Sequence, residues 1–175
     1  GRTDKAGQFV LDVQASAEDA DALFEQARAA EERDDPATAE RLYQRLMKMD
    51  PQDPAAAFNL GNLLRATGRA LEAETAYRAA VKADPDYAPA WYNLADVLDE
   101  QSRTADGIDC LKRALAADPG YADAMFNLAL FLQKLDRPAE AARWWRRYIE
   151  LDGSSPWAAR ARRALKYCEM RLAGS

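Results

Sequence analysis

The chain has 175 residues, 49% apolar and 30% charged, with a net charge of −5 and no histidine. A chain this long buries roughly 70% of its unfolded surface, so it needs neither disulfide nor metal to fold, and it suffices for one or two domains. Without histidine it lacks the commonest general base, triad member and transition-metal ligand; no apolar run is long enough to span a membrane, and no Gly-rich phosphate loop, nucleophile elbow or Cys-x-x-Cys pair occurs.

Residues 1–15 carry no helical period. Phe9, Leu11 and Val13 alternate with polar partners, which predicts an extended or disordered N-terminal segment. The chain opens at Gly1 with no initiator Met, as a piece of a longer protein would. A 34-residue frame then divides the region 16–155 into four units, 20–53, 54–87, 88–121 and 122–155, with Asn59-Leu60-Gly61, Asn93-Leu94-Ala95 and Asn127-Leu128-Ala129 in register. A repeat of that length marks units that cannot bury their own apolar faces and must stack.

Each unit reads as two helices, because apolar residues recur at three- and four-residue steps. The first helices are predicted at 21–33, 54–67, 88–101 and 122–135, the second at 36–48, 70–82, 104–116 and 138–150. Asp35-Pro36 and Asp53-Pro54 place a capping carboxylate before a proline at the first helical position. Gly68 ends a first helix, and Asp50-Pro51, Asp84-Pro85 and Asp118-Pro119 stop the second helices at one place in the frame. Small residues recur where the helices cross: Ala27, Gly61, Ala95 and Ala129 on the first, Ala39, Ala73, Gly107 and Ala141 on the second. A larger side chain there would cost about 1–3 kcal/mol by overpacking. Tyr43, Tyr77, Leu111 and Trp145 fill the remaining space, again 34 apart.

Residues 154–175 read as a ninth helix, with Ser155 as N-cap, Pro156 first in the helix, and Trp157, Ala161, Ala164, Leu165 and Cys168 as its apolar stripe. Arg160, Arg162, Arg163 and Lys166 are read as outward-facing. From Arg143 onward 8 basic and 3 acidic residues face an otherwise acidic chain. Such a basic end could steer partners at low salt, but it is not a nucleic-acid footprint spread along a groove.

The alternation of small and large residues at this period resembles the tetratricopeptide repeat (TPR), a helix-turn-helix unit of 34 residues with small residues at the crossing. The resemblance covers residues 20–155. The outer units depart from it, with Gln26 in place of Leu and Tyr148 in place of a small residue, as capping repeats do. It implies an all-α, right-handed TPR superhelical solenoid of four helix-turn-helix repeats, closed by a C-terminal capping helix at 156–175. It also implies that the first helices line a concave face that binds a protein or peptide partner.

On that face one frame position holds Phe24, Phe58, Tyr92 and Phe126, and the next holds Asn59, Asn93 and Asn127. The rings either grip apolar side chains of a bound segment or pack between neighbouring helices; sequence leaves both open. The asparagines offer a donor and an acceptor each, matching a peptide unit. Their ladder is similar to that in the TPR domain of O-linked N-acetylglucosamine transferases, but asparagine here also serves simply to brace helices. Arg28, Asn62 and Asp96, then Arg65, continue the face with mixed charge. The expected peptide-binding groove is therefore Phe24, Arg28, Phe58, Asn59, Asn62, Arg65, Tyr92, Asn93, Asp96, Phe126 and Asn127. Phe24, Pro89 and Asn93 stand where a clamp for acidic chaperone tails would need cations, so such tails are not expected ligands.

The chain is thus expected to be a non-enzymatic interaction module with no cofactor and no metal. Cys110 and Cys168 read as free buried thiols of a cytoplasmic protein. Self-association through the N-terminal segment or the C-terminal helix is the alternative. A second resemblance rests on Gly7-Gln8-Phe9-Val10-Leu11-Asp12 and Ser155-Pro156-Trp157-Ala158, which look like the C-terminal TPR half of bacterial MerR-type transcription regulators. It would make the chain a regulatory module of a DNA-binding protein. These residues themselves are expected to bind no nucleic acid and no membrane.

Overall fold

The computed structural model describes the backbone of residues 5–174 and the side chains of residues 19–174. Among these residues the fold is all-α, nine helices in chain order: α1 Lys5–Glu32, α2 Pro36–Met49, α3 Pro54–Ala66, α4 Ala70–Ala83, α5 Ala88–Glu100, α6 Thr104–Ala117, α7 Ala122–Lys134, α8 Pro138–Leu151 and α9 Pro156–Ala173. The chain divides into two compact units, Gly1–Ala83 and Asp84–Ser175.

In the first unit α1 packs on α2, α2 on α3 and α3 on α4. Asp35 and Asp53 cap α2 and α3 as their Asp-Pro pairs predict, accepting from the Thr38 and Ala55 amides at 3.1 and 2.9 Å. Ala27, Ala39 and Ala73 have no exposed surface, nor do Tyr43 and Tyr77. The second unit repeats the scheme, with α5 on α6, α6 on α7, α7 on α8 and α8 on α9. Ala95, Ala129 and Ala141 are fully buried there beside Leu111 and Trp145. Where a crossing is this tight, side-chain size is dictated by the facing helix.

The turns inside the four pairs share one backbone solution. Asp34, Gly68, Ser102 and Asp136 all take φ between 55° and 78°. In each case the next residue's amide reaches back to a carbonyl five residues earlier, as Arg103 does to Leu98 at 2.8 Å. That bond satisfies one of the carbonyls a helix end leaves unpaired. The sequence marks this conformation only at Gly68.

One expectation needs correcting. Residues 1–15 are expected to be extended or disordered, whereas α1 already begins at Lys5. No proline stands between Lys5 and Asp21 to stop a helix. Alternation over three apolar residues is a short signal against that continuity. The side chains of Phe9, Leu11 and Val13 lie outside the described residues.

Candidate functional site

In the first unit the rings of the expected face lean on the second helix of their own pair. Phe24 meets Tyr43 edge-on at 5.7 Å, and Phe58 meets Tyr77 at 6.1 Å. The polar residues beside them are partly committed inward. Tyr43 donates its hydroxyl to Glu31, and Tyr77 donates to Asn62 Oδ1 at 2.8 Å. Asn59 donates to its own helix at Ala55 O, 2.9 Å away. Arg28 is exposed and sits 3.4 Å from Glu25, and Arg65 is half-buried in the last turn of α3. Half of what a flat reading assigns to a ligand is thus used to hold each pair together.

The second unit builds a cleft. Tyr92 comes from α5; Asp123, Phe126, Asn127 and Leu130 from α7; Tyr148 from α8; Trp157 and Arg160 from α9. Together they enclose about 450 Å³. Phe126 is its aromatic floor, with edge contacts to Trp145, Tyr148 and Trp157 at 4.8, 5.2 and 5.7 Å. Asn127 is pinned, since its Nδ2 donates to Tyr92 Oη at 3.2 Å and to Asp96 Oδ1 at 3.0 Å. Asn93 is half-buried on α5. The Tyr92 ring tilts against Tyr121 at 5.2 Å. Burial, and then the carboxylates of Asp96 and Asp123, push the Tyr92 phenol up to about 12, so it stays a neutral donor at ordinary pH. A second hollow of about 370 Å³ shares Leu130 and extends past Gln133 and Lys134 to Tyr167.

Of the expected groove residues, Tyr92, Phe126 and Asn127 meet in this cleft, with Asp96 behind the amide. Tyr148 is 3% exposed, whereas Trp157, expected in the apolar stripe of the ninth helix, is 56% exposed at the cleft. Arg160, expected to face outward, is exposed, and its guanidinium lies over the Phe126 and Trp157 rings, 5.6 and 6.0 Å from their centroids. The sequence held a signal for it. One further step of the 34-residue frame from Phe126 lands on Arg160.

A family model described as "Tetratricopeptide repeat" matches residues 5–54, 24–88 and 92–156. The chain belongs to the tetratricopeptide repeat family. Among solved TPR-like structures it is similar to MamA, at 23% identity over 87% of this chain and 81% of that one, with a TM-score of 0.76. It is also similar to YrrB, titled a TPR protein with an unusual peptide-binding site, at 20% identity over 94% and 83% with a TM-score of 0.74. An O-GlcNAc transferase mutant from Thermobaculum terrenum aligns at 32% identity over 76% of this chain but only 27% of its own, with a TM-score of 0.61. A comparison with curated proteins finds no significant match. Nothing in these likenesses points to a MerR-type regulator. Among the described residues no cluster of His, Cys, Asp or Glu is placed to hold a metal ion, and no helix is long and apolar enough to cross a membrane.

Proposed function

We propose that the chain is a protein-interaction module that receives a peptide segment in the cleft of α5, α7, α8 and α9. One observation carries this reading: the fixed amide of Asn127 beside an aromatic floor. Asn127 Nδ2 donates to two acceptors within the protein, and its Oδ1 is the acceptor proposed for an incoming N–H, while Phe126, Leu130 and Trp157 offer apolar surface in the same cleft. An acceptor fixed in advance loses little freedom on binding, so more of the contact energy appears as affinity. The cleft volume falls within the range of small-ligand sites and suits one or two side chains of a longer segment. The expected contacts in the first unit, Phe24, Arg28, Phe58, Asn59, Asn62 and Arg65, are proposed as a contact surface of that unit by itself.

The test is to select peptides from a random library on the immobilised chain and measure the best by fluorescence anisotropy. Leu130→Glu should weaken them at least tenfold with unchanged far-UV circular dichroism. Unaltered affinity places the site elsewhere.

Self-association is the second reading, and α9 favours it. Tyr167, Met170 and Leu172 are 49%, 66% and 44% exposed there. Light scattering across a concentration series tests it, and a constant monomer mass removes it. The regulatory role implied by the Gly7–Asp12 and Ser155–Ala158 motifs predicts that DNA binding by the intact protein changes when the cleft is filled.

A further inference from the structure

Arg160 stands where Phe24, Phe58, Tyr92 and Phe126 stand in the preceding repeats. The ring ladder of the first helices therefore ends, in α9, on a cation. Several basic residues of the second unit are engaged. Lys134 pairs with Asp99 at 2.6 Å, Arg137 with Glu140 at 2.7 Å, Arg146 with Glu169 at 2.7 Å and Arg171 with Asp136 at 2.8 Å. Arg162 donates to the Gly153 carbonyl. Arg160 has no hydrogen-bond acceptor and no carboxylate among the described residues; its contacts are the faces of Phe126 and Trp157. Two aromatic rings thus hold the guanidinium in place, while its five N–H donors stay available at the edge of the cleft. A planar fork of donors is the side-chain complement of a carboxylate, which it meets through two parallel hydrogen bonds.

We infer that the cleft recognises a peptide carboxylate next to an aromatic or aliphatic side chain, with Arg160 binding the carboxylate and Phe126, Leu130 and Trp157 receiving the apolar group. This deepens the cleft reading above and rests on it. The opposite wall limits the ligand further. Asp123 lines the cleft and Asp96 lies behind Asn127, so a run of acidic residues is repelled there and a lone carboxylate among neutral neighbours fits best. An Asp or Glu side chain and a free chain terminus present the same group.

The experiment titrates the full ¹⁵N-labelled chain, and its Arg160→Gln variant, with three probes: acetyl-Leu-Phe-Glu-amide, acetyl-Leu-Phe-Gln-amide and acetyl-Leu-Phe-Gln with a free carboxyl end. Arg160 is exposed on a surface helix, and the amide spectrum reports directly whether the variant is folded. Wild type should bind at least one carboxylate probe fivefold or more tighter than the neutral amide. That margin should shrink as salt is raised and fall below twofold in Arg160→Gln. Preference for the Glu amide assigns a side-chain carboxylate, and preference for the free acid assigns a chain terminus. Equal affinity for all three probes, with shifts at Asn127 and Leu130, overturns the carboxylate inference while upholding the cleft. A preference that survives Arg160→Gln also overturns it. Shifts confined to residues outside the cleft overturn both readings.

Discussion

Replacing Gly61 with Ala adds one methyl group at the α3–α4 crossing, and the structure gives the size of the resulting conflict. A Cβ at position 61 would lie 2.5, 2.6 and 2.9 Å from three ring atoms of Tyr77, where carbon atoms normally settle at roughly 3.5–4.0 Å. The ring would have to retreat by about 1 Å, judged from those normal separations. Its surroundings resist this: Tyr77 is fully buried, its hydroxyl donates to Asn62 at 2.8 Å, and Phe58 backs it at 6.1 Å. Overpacking of this kind costs about 1–3 kcal/mol, and breaking the Tyr77–Asn62 bond adds about 1 kcal/mol. Against this, Ala is better than Gly inside a helix by about 1 kcal/mol. The net expectation is a loss of about 1–3 kcal/mol, read from urea unfolding of the full chain by far-UV circular dichroism. In a Tyr77→Leu background the same Gly61→Ala change should cost at least about 1 kcal/mol less, because the obstacle is gone. A Gly61→Ala protein as stable as wild type, or more so, would refute the reasoning, since helix propensity alone has that sign.

Ser102 holds φ at 61°, a conformation that costs a side chain roughly 1–2 kcal/mol and glycine nothing. Ser102→Gly should therefore raise the urea midpoint slightly, and Gly68→Ala, where no atom crowds the new methyl, should lower it through backbone conformation alone. Gln133 Oε1 accepts from the buried Trp145 Nε1 at 3.3 Å and from Cys168 at 3.9 Å. Gln133→Leu strands that indole donor and should cost about 1–3 kcal/mol in the same assay. Burial tends to raise the Asp99 carboxyl, but hydrogen bonds from Lys134 and Thr104 outweigh it and hold it below the ordinary range. A carboxylate depressed in the folded state stabilises fully above its unfolded value, about 3.9, and that contribution fades as pH falls through the lower folded value. Thermal midpoints should drop below about pH 4, and the drop should be shallower in Asp99→Asn; identical acid profiles would exclude this ion pair as a source of the effect.

The helices and their pairing were legible in the chain because their causes are local and repeated. The Asp-Pro caps at 35–36 and 53–54, the three- and four-residue apolar steps and the 34-residue spacing of small residues place the ends of α2 to α8 within about one residue of those observed. The same local reading failed over residues 5–15, where a three-residue alternation gave way to the continuation of α1. The direction in which a polar side chain of the first helices works was not legible. Asn62 looks like a groove residue, and Gln133 stands two 34-residue steps beyond Arg65 of the same face, but a buried Tyr77 and a buried Trp145 from the paired helix claim them. That claim depends on distances across a crossing, which no spacing along the chain encodes. Arg160 is the opposite case. Charge and position made it a solvated surface residue, and only the packing of α9 on α8 brings it over Phe126. Sequence periodicity determined the scaffold, while tertiary contact decided which side chains of that scaffold are left to meet a partner.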